Sequence, residues 1–195
     1  MKDEIKRQVE EAKEVLQEGG TVIYPTETAY GIAADALDPE AVEKVYEVKQ
    51  RPREKKLTVI VDSLESAERY AELTGEERRI VETLMPGPLT LVADRKPAVP
   101  DVLNDRFVFR VPDSEVAREL AANGPMTATS ANISGQETSY RVEDIDPELR
   151  DEVDYIIDAG TLEQGPTSTI AEVNNGEVVI HRKGPVTREE IEEVL

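Results

Sequence analysis

Apolar residues recur along the chain in two spacings, one typical of helices and one typical of strands. Between residues 3 and 18 the apolar side chains fall three and four positions apart, which predicts an amphipathic helix. The next segment, TVIY at 21–24, is a short apolar run that predicts a buried strand. Helical and strand-like segments continue to alternate to the end of the chain, and this order predicts an α/β fold.

The remaining elements follow from the same patterns. Further helices are predicted at 39–49, in two segments between 63 and 84, at 114–122, near 143–150 and within 184–195. Strands are predicted at 57–61, 89–93, 106–112, 125–129, 153–158, 167–173 and 177–182. In the last helix Thr187 precedes Glu190 by three residues, which predicts a capping box. Since no linker or repeat interrupts the series, we expect one domain over residues 1–195.

The charge of the chain indicates a strongly acidic surface, which the hydrophobic pattern does not reveal. The chain has 42 acidic and 23 basic residues, for a net charge of −19, and the acidic residues are spread along the helices. Such a surface is typical of proteins adapted to high salt, where self-repulsion is screened. It argues against general binding of nucleic acids, which needs an extended cationic face. Any RNA contact is therefore expected to be local.

Several classes of protein are excluded by what the chain lacks. Without cysteine it has no disulfide, zinc–thiolate site or thiol nucleophile. His181 is the only histidine, so neither a histidine metal cluster nor a Ser–His triad is expected. No run of 18 apolar residues occurs, and the N-terminus is a charged helix rather than a signal peptide. We expect a soluble, cytoplasmic protein without membrane contact.

One segment contrasts with this acidic background. KQRPREKK at 49–56 places five cations within eight positions: Lys49, Arg51, Arg53, Lys55 and Lys56. Pro52 cannot continue the preceding helix, and a strand follows, so the cations are predicted on an exposed loop at the edge of the sheet. Such a loop is either solvated surface or a binding site for an anion, and the segment alone does not decide between them.

Two further groups of polar residues lie at strand ends, where open α/β sheets bind ligands. PTET at 25–28 follows the first strand, and SANISG at 130–135 follows PMTAT. Each is either a turn with capping side chains or a set of ligand contacts. Arg110 lies on a predicted strand, on the face opposite the two phenylalanines, and needs an anionic partner. A protein carboxylate or a ligand would serve, and we favour the ligand.

Six motifs together resemble one family. They are PTETAYG (25–31), KQRP (49–52), MPGPLT (85–90), TSANISG (129–135), STI (168–170) and HRKGP (181–185). Their content and order resemble the signature blocks of the YrdC/YciO family of threonylcarbamoyl-AMP synthases, in its single-domain form. The resemblance implies a twisted, mixed but largely parallel open sheet flanked by helices, with a deep positively charged cavity.

The resemblance also implies an activity. L-Threonine, bicarbonate and ATP would give threonylcarbamoyl-AMP and pyrophosphate, and a separate tRNA-modifying threonylcarbamoyl-transferase complex would pass the group to an adenosine in tRNA. The reaction needs positive charge over the phosphates, with Mg²⁺ held mainly by ATP rather than by a protein metal site. No cysteine or histidine nucleophile is required, and no general base is evident in the chain.

Site residues follow from the motif positions. The family's Lys-x-Arg and Ser-x-Asn tetrad corresponds to Lys49, Arg51, Ser130 and Asn132, which would bind ATP together with Arg182; Lys49 and Arg51 would be catalytic. The threonine pocket would use Thr26, Thr28, Arg110 and Ser168.

Two alternatives share this fold. Many family members carry a histidine in the strand after Lys-x-Arg, and LTVIV at 57–61 has none, which keeps a YciO-type paralogue with a different substrate open. The other alternative is a double-stranded RNA or tRNA-binding protein that uses the same cavity without catalysis. Pyrophosphate release and salt-dependent RNA binding would distinguish the three.

Overall fold

The computed structural model describes all 195 residues, in seven α-helices and ten strands. The helices are α1 (Asp3–Gln17), α2 (Pro39–Val48), α3 (Leu64–Tyr70), α4 (Gly75–Leu84), α5 (Glu115–Ala121), α6 (Pro147–Glu152) and α7 (Arg188–Glu192). The strands are β1 (Val22–Pro25), β2 (Tyr30–Ala33), β3 (Thr58–Ile60), β4 (Ala71–Glu72), β5 (Leu89–Arg95), β6 (Phe107–Arg110), β7 (Met126–Ser130), β8 (Tyr155–Ile156), β9 (Thr169–Asn174) and β10 (Glu177–Arg182). None of the helices combines the length and apolar character that a bilayer crossing requires.

All ten strands form one mixed sheet, in the order β10-β9-β5-β6-β3-β7-β2-β1-β8, with β4 beside β5. The predicted mixed α/β architecture is confirmed, but the expectation of a largely parallel sheet was wrong. Six pairings are antiparallel and three, β1–β8, β3–β6 and β5–β9, are parallel. Short connections explain the difference, because a parallel pair needs a long crossover. Only residues 26–29 join β1 to β2, and a two-residue turn, Asn175–Gly176, with both φ angles positive, joins β9 to β10.

Most predicted elements are present, with two informative differences. The strand β2 was missed, because its sequence YGIA contains glycine and alanine and has little intrinsic strand preference. Pairing with β1 and β7 stabilises it instead. The helix predicted near 143–150 is divided into a 3₁₀ turn at 142–144 and α6, since Pro147 starts a new helix behind the Asp146 cap. The capping box of Thr187 and Glu190 is confirmed.

The hydrophobic core lies on both faces of the sheet. Alternate residues of β3 show this, because Val59 belongs to a cluster of 32 buried residues and Ile60 to a second cluster of 12. Helices α2, α3, α4 and α7 cover the larger cluster, while α1 and α5 cover the smaller one. The sheet is therefore fixed on both sides, and its loops are held on a rigid base.

The acidic surface leads to a prediction on stability. The net charge of −19 destabilises the compact state by self-repulsion, and salt screens that repulsion. We expect the melting temperature to rise from low salt to molar KCl. NaCl should act like KCl at equal ionic strength, because screening depends on ionic strength alone. A melting temperature that does not change over this range would contradict the prediction.

Candidate functional site

A cavity of about 290 Å³ opens where β1, β2, β6 and β7 meet their loops. Twelve of its 21 lining residues carry a hydroxyl group. Its charged lining consists of four cations, Arg51, Lys56, Arg110 and Arg182, with no carboxylate among the lining residues. In a chain with net charge −19, this concentration of positive charge and hydroxyl donors favours an anionic ligand. No group of three or more His, Asp or Glu side chains is placed to hold a metal ion.

The structure brings most of the predicted site residues together in this cavity. Seven of the nine line it: Thr26, Thr28, Arg51, Arg110, Ser130, Ser168 and Arg182. The other two, Lys49 and Asn132, are buried and bonded to the segment of Ser130. The segments that contribute are far apart in the sequence, so only the folded sheet assembles them.

Lys49 departs most from its predicted environment. The expected exposed loop position was wrong, because Lys49 is the C-cap of α2 and only 1% exposed. The chain turns away after it, at Gln50, which has a φ of 48°. The Lys49 ammonium group donates to the carbonyl oxygens of Ser130 and, at 2.6 Å, of Asn132. Lys49 therefore fixes the backbone of the loop that follows β7.

The burial of Lys49 predicts a pH dependence of stability. Burial, and secondly the charge of Arg51, lowers the pKa of Lys49 from 10.5 to about 7. Below pH 7 both the folded and unfolded states hold the proton, and the folded state carries the full cost of burying the charge. Between the two pKa values the unfolded state binds more protons, so stability rises with pH.

We therefore expect the unfolding free energy of the wild type to increase from pH 7 to pH 9 relative to that of Lys49→Met. Urea unfolding at several pH values measures this difference. Lys55→Met, which removes an exposed lysine, should keep the wild-type pH dependence. An equal pH dependence in the wild type and Lys49→Met would show that Lys49 remains charged in the folded protein.

Arg51 organises the loop that carries the other cations. Its Nε donates to the carbonyl of Lys55 at 2.7 Å, and its Nη2 to that of Lys56 at 2.9 Å. Three of its five N–H groups make no hydrogen bond within the chain. Burial lowers the pKa of the half-buried guanidinium, and Arg51 lines the cavity. Its remaining donors are thus available to an anion.

Ser130 and Asn132 form a local network. The Ser130 hydroxyl donates to Asn132 Oδ1. Asn132 Nδ2 donates to the carbonyls of Ile133, at 2.7 Å, and Gln136, at 3.0 Å. Of the two interpretations of SANISG, capping describes Asn132 in this structure, whereas Ser130 lines the cavity. Asn132 thus orients Ser130 from behind.

Arg110 has a protein partner that the sequence did not indicate. It is 8% exposed and forms an ion pair with Glu27, within the turn between β1 and β2. Of the two partners considered for Arg110, the structure shows the protein carboxylate. Glu27 lies 83 residues away in sequence, so local spacing could not reveal the contact. The turn itself is closed by Thr26, whose hydroxyl donates to the carbonyl of Ala29 at 2.7 Å.

Ser168 and Arg182 are also bonded to each other. Arg182 Nε and Nη2 donate to the carbonyl and hydroxyl oxygens of Ser168, both at 2.9 Å. The Ser168 hydroxyl lies 2.8 Å from that of Thr90, a lining residue that the sequence analysis missed. Burial, and then the charge of Arg110, lowers the pKa of Arg182. The two guanidinium groups therefore share one region of the cavity.

Three tyrosines also line the cavity and were missed by the sequence analysis. Tyr24 and Tyr30 are almost fully buried, and Tyr140 comes from the loop after SANISG. The Tyr30 hydroxyl donates to the carbonyl of Gly160 at 2.8 Å, and burial raises its pKa to about 12. The signal that could have found Tyr30 is its place in the PTETAYG motif.

Gly184, in the HRKGP motif, lies unusually close to the start of β9. A Cβ atom at this position would lie 2.6 Å from Ser168 C and from the carbonyl oxygen of Thr167. We expect Gly184→Ala to destabilise the protein by about 1–3 kcal/mol, because backbone atoms cannot move aside cheaply. It should also weaken ligand binding by displacing Ser168.

Thermal unfolding and nucleotide binding by calorimetry measure the two effects. Gly124→Ala is the matched control, because a Cβ there would meet nothing within 4 Å. Equal behaviour of the two variants would contradict the prediction.

Comparison with known proteins identifies relatives over nearly the whole chain. The profile of the family named Sua5_yciO_yrdC and described as telomere recombination matches residues 14–184. A Methanocaldococcus jannaschii protein, named provisionally as a threonylcarbamoyl-AMP synthase, is 37% identical over 185 residues, which cover 94% of this chain and 89% of that protein. The threonylcarbamoyl-AMP synthase of Pyrococcus abyssi is 35% identical over 92% of this chain and 55% of its own length.

A solved structure agrees with the sequence comparison. Sua5 of P. abyssi, in a crystal structure with L-threonine, superposes with a TM-score of 0.90 at 34% identity. The superposition covers 100% of this chain and 58% of that one. The chain thus spans a little over half the length of the Pyrococcus proteins and most of the length of the Methanocaldococcus protein.

Proposed function

The chain belongs to the Sua5, YciO and YrdC family, and we propose that it is a threonylcarbamoyl-AMP synthase. It would act as a nucleotidyltransferase that forms threonylcarbamoyl-AMP and pyrophosphate from L-threonine, bicarbonate and ATP, for the threonylcarbamoyladenosine modification of tRNA. Relatives that carry this name support the proposal. The observation that carries it is the cavity, which gathers four cations and no lining carboxylate within a strongly acidic protein.

The chemistry matches the residues that line the cavity. The reaction joins two anions, a carbamate and a triphosphate, so like charges must be held close together. Guanidinium and ammonium groups, held in position before the reaction, offset the charge that develops on the phosphates. Arg51, Lys56 and Arg182 line the cavity and would supply this stabilisation. No covalent intermediate with the protein is needed, because binding and orientation of the reactants suffice.

The proposal divides the site residues into two groups. Arg51, Ser130 and Arg182 would contact ATP, while Lys49 and Asn132 would hold the backbone and hydroxyl of Ser130 in place. The threonine group would come from the turn after β1, the end of β6 and the residue before β9: Thr26, Thr28, Arg110 and Ser168. Mg²⁺ would be bound by ATP oxygens and water, as is usual for this ion.

The positions of the cations indicate how the protein would contact tRNA. The activated group would pass to tRNA in the cytoplasm through a separate threonylcarbamoyl-transferase complex. Direct tRNA contact would be local, at the cavity, because Lys56 lines it and is exposed, as is the neighbouring Lys55. A purely RNA-binding function fits less well, since four of the cations face a cavity rather than an extended surface.

The proposal is tested by measuring pyrophosphate release with ATP, bicarbonate and each of the twenty amino acids. We expect release that depends on L-threonine and on bicarbonate, with a threonylcarbamoyl-AMP product detectable by mass spectrometry. Release that does not depend on threonine would favour a YciO-type paralogue. No release, together with salt-dependent RNA binding in a gel shift, would favour the RNA-binding alternative.

A further inference from the structure

The ion pair of Arg110 and Glu27 joins two side chains with very different access to water. The Arg110 side chain is 9% exposed, and the Glu27 side chain is 26% exposed. A buried guanidinium that lacks a charge partner is costly, whereas a carboxylate at the surface can be solvated by water. Arg110 must therefore keep an anion beside it, while Glu27 can leave.

The local structure allows Glu27 to leave without unfolding the turn. The turn is held by Thr26, whose hydroxyl accepts hydrogen bonds from the backbone N–H groups of Thr28 and Ala29, both at 3.1 Å. A backbone hydrogen bond from Thr26 N to Ala29 O, at 3.0 Å, closes it further. The Glu27 side chain takes no part in these bonds, and Arg110 is its single polar partner. Rotation of the Glu27 side chain leaves the turn intact.

The surroundings of Arg110 favour an incoming anion. Arg182 lies near enough for the two guanidinium charges to affect each other, and the cavity lining also carries the hydroxyls of Thr28 and Ser168. Glu27 neutralises only one of the two cations. An external carboxylate would find a planar guanidinium fork and hydroxyl donors already in place.

We propose that Glu27 is an exchangeable counter-ion, which occupies Arg110 in the empty site and is displaced by the carboxylate of the incoming substrate. The identification of that substrate as L-threonine rests on the proposed function, but the exchange itself does not. Glu27 is thus a specificity-determining residue, since a ligand must bring a negative charge to replace it. An uncharged analogue would have to leave the Arg110–Glu27 pair in place.

The exchange predicts that removing Glu27 tightens binding. In the wild type Glu27 competes with the substrate carboxylate for Arg110. If Arg110 is free of Glu27 in one molecule out of ten, the apparent affinity for the substrate is about tenfold weaker than it would be without Glu27. Glu27→Gln should therefore bind L-threonine about tenfold more tightly than the wild type in calorimetric titrations. L-Threoninamide, which lacks the carboxylate, should bind weakly and gain nothing from the substitution. Glu193→Gln, which removes an exposed glutamate from the end of α7, is the control for net charge.

A second measurement tests the exchange without threonine. In the ligand-free protein Glu27→Gln should lower the melting temperature by about 4 °C or more, because the buried Arg110 loses its charge partner. Sodium acetate should restore more of this loss than sodium chloride at equal ionic strength. For the wild type and for Glu193→Gln, the melting temperature should change by the same amount in sodium acetate as in sodium chloride.

The outcomes separate the two hypotheses. If the wild type binds threonine, unchanged or weaker binding by Glu27→Gln overturns the exchange. The absence of a specific acetate effect on that variant overturns it as well. If acetate restores stability but no form of the protein binds threonine, the exchange stands and the proposed function fails. Tighter threonine binding together with the acetate effect supports both.

Discussion

Replacing Arg51 by alanine is expected to lower the rate of threonylcarbamoyl-AMP formation by about 100-fold or more, as is usual when a charge contact to the transition state is lost. Arg51 lines the cavity and has three N–H groups without a partner in the chain. Its two hydrogen bonds to loop carbonyls are exposed to solvent, so their loss should cost only about 1 kcal/mol of stability. Steady-state pyrophosphate release and urea unfolding measure the two effects.

A neighbouring arginine gives the matched control. Arg53 belongs to the same loop, pairs with Glu43, and lies over the ring of Tyr46, 4.8 Å from its centroid. It does not line the cavity, so Arg53→Ala should keep activity within about twofold of the wild type. Near-normal turnover in Arg51→Ala would contradict its proposed role. Lys49→Ala is less informative, because it leaves buried carbonyl groups without a donor and should cost stability as well as activity.

L-Valine is expected to be used about 10⁴-fold less efficiently than L-threonine, as judged by kcat/KM. A buried group that hydrogen-bonds the β-hydroxyl is left unpaired by valine, and this penalty is large. L-Serine lacks only a methyl group and should lose about 10- to 200-fold. The hydroxyls of Thr28 and Ser168 lie in the part of the cavity near Arg110 and are the candidates for this contact, since the Thr26 hydroxyl already donates to the carbonyl of Ala29.

The same pocket predicts the effect of changing Arg110. Arg110→Lys should reduce kcat/KM for threonine by about 100-fold, because an ammonium group cannot form two parallel bonds to a carboxylate. Arg118→Lys, at a partly exposed site outside the cavity, is the control and should have little effect. Equal use of valine and threonine, or normal activity of Arg110→Lys, would place the amino-acid pocket elsewhere.

The sequence predicted the elements and most members of the site because both depend on local patterns. Apolar spacing located α1 and β5, and each motif placed its polar residues beside a predicted strand. The pairing of distant segments could not be read in this way. The contact of Glu27 with Arg110 and the burial of Lys49 under the loop after β7 both depend on which strands become neighbours.

The directions of the strands could not be predicted from local sequence patterns either. Nothing in the composition of β1 or β9 states that their partners run antiparallel, since connection length and turn geometry decide this. The strand β2 also depends on distant segments rather than on its own sequence. It has a weak intrinsic strand preference and forms because it is paired on both sides.

The acidic exterior and the cationic cavity act on ATP over different distances. At low ionic strength the outer charge reaches tens of ångströms and repels a nucleotide tetra-anion before it can find the opening. At molar salt the Debye length falls to about 3 Å, so the repulsion disappears during the approach, while contacts made inside the cavity are screened much less. Salt therefore removes an electrostatic barrier to capture and leaves the bound state largely intact. For this protein the rate of nucleotide association should increase with salt, which is opposite to the behaviour of enzymes that steer their substrates by attraction.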